Sequence, residues 1–244
     1  MNVIFLPGSL CDARLFGSQV AAATKAGFSC QVQDLSIDDS IEAMAARVIA
    51  SIPRKSVLVG LSMGAIVAAE IVSQAPDRLA GVALMNTNLR APDSAQLATR
   101  SQWARQVRSG EFARVVADNL TDALTFFPSR NSQLIFDMAM SVTSAGFLRQ
   151  NKALLHRRDR RNDVAQLSAP VLITAGSDDQ VCPPALHADL AERLPRARFQ
   201  IVDQAGHLST LDQPAVVSDM LIDWLTFCNE QIHTQEGIHE HQHA

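Results

Sequence analysis

Ser62 lies in Gly60-Leu61-Ser62-Met63-Gly64, between a short apolar run at 56–59 and an Ala/Ile/Val-rich stretch at 65–72. A Gly-x-Ser-x-Gly joining a strand to a helix is the pattern of a nucleophile elbow. The turn is so tight that a Cβ on a flanking glycine clashes, and the serine is held at the tip. The helix behind it turns its positive dipole end toward negative charge developing there. The chemistry this suggests is attack of a serine oxygen on a carbonyl carbon.

A serine hydroxyl is a weak nucleophile at neutral pH. It needs an adjacent base, and the base needs a third group to orient it. After such an elbow the acid comes next in the chain and the histidine last. Gly176-Ser177-Asp178-Asp179-Gln180-Val181-Cys182-Pro183 follows an apolar run at 171–175, and Gln204-Ala205-Gly206-His207-Leu208 follows one at 199–202. Both segments therefore stand at C-terminal ends of strands, the edge where chemistry gathers in open α/β sheets. His156 falls in a helical region and His187 on an expected helix, while His233, His239, His241 and His243 crowd the tail. His207 is the base that order and placement select. These residues alone leave the acid between Asp178 and Asp179.

The elements that must position them alternate. Apolar runs at 3–6, 28–32, 57–59, 79–85, 171–175 and 199–202 read as short buried strands. Ile41, Met44, Ala45, Val48, Ile49 and Ile52 mark one helical face; Val216, Met220, Leu221, Trp224 and Leu225 mark another. This rhythm predicts a parallel sheet covered by helices on both faces. Residues 88–162 break it. Trp103, Val107, Phe112, Val115, Val116 and Leu120 recur at helical spacing, as do Leu134, Ile135, Met138 and Val142. We read residues 88–162 as an all-helical insertion, 1–87 and 163–230 as the core, and 231–244 as a flexible, histidine-rich tail.

The 244 residues suffice for one substantial core with one insertion. A hydrophobic fraction of 47% and a charged fraction of 19% are those of a globular protein. The net charge of −4 argues against nucleic acid as a partner. The N-terminus lacks a basic region and a long apolar run, and no apolar stretch approaches membrane-spanning length. The expectation is a cytoplasmic protein without a membrane partner. Cys11, Cys30, Cys182 and Cys228 show neither C-x-x-C nor metal-ligand spacing. Cys11 and Cys182 fall near the catalytic loops, and packing is preferred to reactivity for both.

Leu6-Pro7-Gly8-Ser9, Gly60-Leu61-Ser62-Met63-Gly64, Gly176-x-x-Asp179-x-x-x-Pro183 and Gly206-His207 together resemble the α/β-hydrolase superfamily, in its compact esterase-like branch with a helical cap. The resemblance covers nearly the whole chain outside residues 88–162. Its Gly-x-x-Asp pattern selects Asp179 over Asp178. It implies an oxyanion hole of two backbone N–H groups, one from Met63 and the other from Ser9, with Leu10 as the alternative. Where the family usually reads His-Gly-x, this chain has Pro7, which bears on how the loop is held. Family members carry two strands before the one equivalent to residues 3–6, so the resemblance implies about six parallel strands without the antiparallel N-terminal hairpin. It implies no metal and no cofactor. The serine at the elbow also separates the chain from the dehalogenases and epoxide hydrolases, which have an aspartate there.

The insertion is expected to roof the site. Leu10, Trp103, Phe126, Phe127 and Leu208 form the expected substrate-binding set, and Met138 and Phe147 are further apolar candidates. Residues 88–167 carry 12 Lys/Arg against 7 Asp/Glu, densest at Arg157-Arg158-Asp159-Arg160-Arg161, over an otherwise acidic body. One reading is attraction of an anionic or carrier-bound substrate, as in similar carboxylesterases that cleave methyl esters from acyl groups on carrier protein; the other is local ion pairing with Asp159 and Asp163. The first functional expectation is hydrolysis of a small or medium carboxylic ester or lactone. The alternatives are hydrolysis of a carbon–carbon bond in a ring-cleavage product and a slowly turning over sensor. Oligomeric state is left open.

Overall fold

The computed structural model describes the backbone of residues 1–241 and the side chains of residues 1–232. In chain order the elements are β1 (Asn2–Leu6), α1 (Gly17–Lys25), β2 (Ser29–Val32), α2 (Ile41–Ser51), β3 (Ser56–Leu61), α3 (Met63–Gln74), β4 (Leu79–Met85), α4 (Ser94–Arg108), α5 (Phe112–Asn119), α6 (Pro128–Leu155), α7 (Arg161–Ala165), β5 (Val171–Gly176), α8 (Pro184–Arg193), β6 (Arg198–Val202), α9 (Ser209–Asp212) and α10 (Pro214–His241). The strands form one sheet in the order β2-β1-β3-β4-β5-β6, with every pairing parallel. The six strands are those the apolar runs predict.

β3, β4 and β5 are buried along their whole length, so each reads as an unbroken apolar run. Alternate side chains serve opposite faces. Ile4, Leu6, Leu58, Val82, Leu84 and Ile173 pack with residues of α2, α3, α7 and α8. Val3, Phe5, Val57, Val59, Leu61, Ala83 and Leu172 pack with Ala23 of α1 and with Trp224, Leu225 and Cys228 of α10. Caps fix several starts: Ser40 Oγ accepts from the Ala43 N–H and Asp93 Oδ1 from the Gln96 N–H.

Between β4 and β5 the chain is helical, with no strand. Val107, Val115, Val116, Ala139 and Phe147 cluster around Leu10, which projects from the loop after β1. α6 is broken at Thr143, whose φ is 70°. Both halves contribute to that cluster, through Ala139 and Phe147. The first half also reaches the core shared with α10, through Ile135 and Met138. Residues 231–241, read from sequence as part of a tail, continue α10, and residues 242–244 lie outside the described ones. No helix among the described residues is long and apolar enough to cross a membrane.

Candidate active site

β3 ends at Leu61 and α3 begins at Met63, so Ser62 alone makes the turn, with φ 55° and ψ −114°. A non-glycine residue there is strained, and the neighbours hold it in place. The Ser62 N–H donates to Met85 O (2.9 Å), and its carbonyl accepts from the Thr87 hydroxyl (3.0 Å) and from the N–H groups of Ala65 (3.1 Å) and Ile66 (3.2 Å). A Cβ on Gly60 would lie 2.6 Å from the Gly64 backbone, and one on Gly64 would lie 1.8 Å from Leu6 O. The two glycines let α3 start against β1.

The Ser62 hydroxyl donates to His207 Nε2 (2.8 Å), and His207 Nδ1–H donates to Asp179 Oδ2 (2.9 Å). The tautomer that satisfies both bonds carries its proton on Nδ1 and leaves Nε2 free to take one from serine. Asp179 and His207 are buried, while Ser62 is partly exposed. Asp179 Oδ1 accepts the N–H groups of Val181 (2.9 Å) and Cys182 (2.8 Å), and Oδ2 also accepts Asn86 Nδ2 (3.1 Å). Burial pushes the Asp179 pKa up, but the electrostatic attraction and hydrogen bond of His207 to the carboxylate, with the donors of Cys182 and Asn86, outweigh it and hold the carboxyl below its ordinary value. Asp178 is exposed on the same turn.

Asn86 is a member that sequence reasoning missed. It sits just past β4 with φ 47°, donates to Asp179 Oδ2 and Gly206 O (3.2 Å), and accepts from Ser209 Oγ (2.7 Å). It ties the acid loop to the histidine loop. No motif marks it, because its role depends on two segments about a hundred residues away. His187 is buried behind the site, its Nε2 accepting from the Thr87 N–H (2.7 Å). Burial lowers its pKa and favours the neutral ring that this bond requires.

The loop after β1 approaches the elbow closely: a Cβ on Gly8 would stand 3.6 Å from the Ser62 Cβ. Gln150 of α6 holds this loop. Its Oε1 accepts from the Leu10 N–H (2.9 Å) and the Ser9 hydroxyl (3.1 Å), and its Nε2 donates to Leu35 O (3.3 Å). The Leu10 N–H therefore has a partner already, which favours Ser9 over Leu10 as the donor accompanying Met63. Gln150 supplies a brace for a loop that reads Pro7-Gly8-Ser9.

Ser62 and His207 open into a cavity of about 150 Å³, lined also by Ser9, Leu10, Arg100, Trp103, Leu120, Leu124, Phe147 and Leu208. Larger clefts of about 450 and 540 Å³ lie elsewhere and contain none of these groups. Size alone does not locate the chemistry; convergent polar groups do. Of the expected substrate-binding residues, Leu10, Trp103 and Leu208 line the cavity. Phe126 and Phe127 do not, and the expectation is corrected. The Phe126 N–H is held by Asp212 Oδ2 (2.9 Å), the residue is 39% exposed, and its ring meets that of Phe127 edge-on at 4.8 Å. Phe127 in turn carries the Arg130 guanidinium at 4.3 Å. Met138 is buried away from the cavity. Burial pushes the Cys11 thiol up to about 12, with Asp12 adding to it, and pushes Cys182 up as well, so both behave as packing groups rather than nucleophiles.

Asp212 is a second group without a sequence signal. Its buried carboxylate accepts the Gly206 N–H (2.8 Å), the Phe126 N–H, Asn131 Nδ2 (2.8 Å) and the Thr125 hydroxyl. It fastens the helical segment to the turn carrying His207, as does the bond from the Leu208 N–H to Leu124 O (2.8 Å). Asp212→Asn puts an amide donor against groups that are donors themselves. The expected loss is about 1–3 kcal/mol, since buried groups lose their partner, with kcat down roughly 10- to 100-fold through displacement of the histidine. Thermal melts and steady-state kinetics on the same preparation check this. A lowered melting temperature with unchanged kcat detaches Asp212 from His207.

The model of the alpha/beta hydrolase fold family matches residues 17–214. Among curated relatives, the candidate non-heme bromoperoxidase BpoC of Mycobacterium tuberculosis is 27% identical over 175 residues, 68% of this chain and 66% of that protein, just under two thirds of its length. The candidate carbamate hydrolase RutD of Pseudomonas savastanoi is 27% identical over 238 residues, covering 88% of this chain and 89% of the relative. Among solved structures, a thermophilic esterase from Thermogutta terrifontis superposes with a TM-score of 0.82 at 25% identity, over 93% of this chain and 90% of that one. The chain belongs to the α/β-hydrolase family.

Proposed function

We propose that this α/β-hydrolase is a serine hydrolase that cleaves a small carboxylic ester or lactone through an acyl-enzyme. The observation that carries the reading is the unbroken hydrogen-bond chain from Ser62 through His207 to Asp179, opening into one small cavity. His207 takes the Ser62 proton as the oxygen attacks the carbonyl carbon, and Asp179 stabilises the resulting imidazolium. The N–H groups of Met63 and Ser9 receive the oxyanion; one such donor is worth about 3–4 kcal/mol in comparable enzymes. His207 returns the proton to the leaving alcohol. Water, deprotonated by the same histidine, then releases the acid and restores Ser62.

The cavity, at about 150 Å³, falls below the roughly 300–1,000 Å³ of sites for drug-sized ligands, which favours a short acyl group. The esterase similarity at 25% identity points the same way. The partner in this reading is a small-molecule ester, with no nucleic acid or membrane, in a cytoplasmic setting and with no metal or cofactor. The expected result is hydrolysis of p-nitrophenyl acetate and butyrate, with stoichiometric labelling of Ser62 by a small organophosphonate located by peptide mass mapping. Absence of both label and turnover across short esters and lactones sinks the reading.

A further inference from the structure

The cavity holds one charged side chain besides the triad, Arg100 of α4. Among the described residues no carboxylate pairs with it. Its own helix and α6 hold it from one side: Nη1 donates to Asn151 Oδ1 (3.3 Å), and Asn151 Nδ2 donates back to the Arg100 carbonyl (3.0 Å). A guanidinium has five N–H donors, and most of these have no acceptor among the described residues. Burial and the neighbouring charge of Arg157 lower the Arg100 pKa to about 10, as expected for a cation lacking a counter-ion.

Arg157 deepens the effect. It is 5% exposed, and its donors go to Arg90 O (2.9 Å), Leu154 O (3.0 Å) and Gln96 Oε1 (2.6 Å), so it too has no carboxylate partner among the described residues. The rest of the basic cluster is neutralised: Arg158 by Glu42, Arg160 by Glu70 and Asp163, and Arg161 by Asp159 and Asp189. Surface attraction by this cluster is thus weak, and the charge that reaches the cavity is that of Arg100.

From this geometry we infer that Arg100 is the receptor for a carboxylate on the acyl part of the substrate, so that the preferred substrate is a small monoester of a dicarboxylic acid. A guanidinium suits this task because its fork matches a carboxylate with two parallel bonds. An anchor inside so small a cavity serves the part that stays through both half-reactions, which is the acyl group. Trp103, Leu120 and Phe147 then flank the short carbon chain between the two ends. The inference rests on the ester-hydrolase reading for the word monoester; the carboxylate receptor itself does not depend on turnover.

The test separates the two. Monomethyl succinate and its neutral counterpart dimethyl succinate are titrated by ligand-observed NMR into Ser62→Ala and into Ser62→Ala/Arg100→Gln. The monoester is expected to bind Ser62→Ala at least about tenfold more tightly than the diester, and the difference is expected to vanish with Arg100→Gln. Arg100→Lys in the same background guards against misfolding; it keeps charge but loses the fork, and is expected to retain a reduced preference. Equal affinity for the two esters, no binding of either, or a preference unchanged by Arg100→Gln overturns the assignment. Turnover of monomethyl succinate by the unsubstituted chain is measured alongside. Preference without turnover leaves the Arg100 assignment standing and counts against the hydrolase reading, while turnover without preference does the reverse.

Discussion

Ser62→Ala is expected to lower kcat for a short p-nitrophenyl ester by about 10⁴- to 10⁶-fold, and Asp179→Asn by about 10⁴-fold, the range seen when members of such triads are removed. In the proposed reaction Ser62 Oγ is the atom that bonds to carbon, so its loss ends covalent catalysis. The aspartate acts through the histidine. An amide at position 179 can turn its NH₂ toward His207 Nδ1 and select the tautomer with its proton on Nε2, the atom that must accept from Ser62. Asp179 also receives three donors besides His207, from Val181, Cys182 and Asn86. Asp179 does not line the cavity, so KM is expected to change far less than kcat. Because the three act as a unit, the double variant Ser62→Ala/Asp179→Asn is expected to be no slower than Ser62→Ala alone within error. Steady-state kinetics on matched preparations reads all three. Retention of more than a tenth of kcat by either single variant contradicts the assigned chemistry.

Gly64→Ala is expected to be the most damaging single methyl addition at the elbow. The new Cβ would lie 1.8 Å from Leu6 O and 2.4 Å from the Leu6 carbonyl carbon, both backbone atoms of β1. No side-chain rotation relieves this, so α3 must move off the sheet. That movement uncovers residues such as Ala65, Val67, Ala68 and Ile71, all fully buried. A cost above about 4 kcal/mol follows, in the range reserved for core overpacking and forced backbone shifts, or about 10–15 °C or more in melting temperature for a chain of this size. Gly17→Ala is the control: a Cβ there meets nothing within 4 Å and its backbone is already helical, so it is expected to be neutral or slightly stabilising. Calorimetric melts of the two variants give the comparison. Equal melting temperatures count against the close approach of α3 to β1.

Much of this was legible because the determining signals are local. A strand buried on both faces must be apolar throughout, so the runs at 57–59, 79–85 and 171–175 announced themselves. A strand-to-helix turn that admits no Cβ must carry glycines at fixed offsets from the nucleophile, so five residues identified Ser62. The acid and the histidine follow strands of the same sheet, which brings them to one edge whatever the loops do. Asp179 needed the resemblance to a family as well, since two adjacent carboxylates look alike in sequence; burial of one and exposure of the other separates them.

The remaining groups act across long separations and leave no local mark. Asn86, Gln150 and Asp212 are ordinary polar residues in the sequence, and each matters because it bonds to backbone from distant segments. Helical periodicity shows that residues of the insertion have an apolar face, but not which neighbour that face meets. Phe147 lines the cavity at Ser62, whereas Phe126 is exposed, with its N–H held by Asp212. Charge counts have the same weakness. The run at 157–161 stood out as a basic patch, but it consists of one buried arginine and neighbours paired with carboxylates, most of them from other elements, while the lone Arg100 supplies the cavity with its charge. By itself the sequence determined the sheet, the elbow and the chain order of the triad, because backbone sterics and strand burial dictate residue types at short spacing. Only the tertiary structure decided which side chains surround the serine, because hydrogen bonds and ion pairs between segments a hundred residues apart depend on how the helices are laid over the sheet.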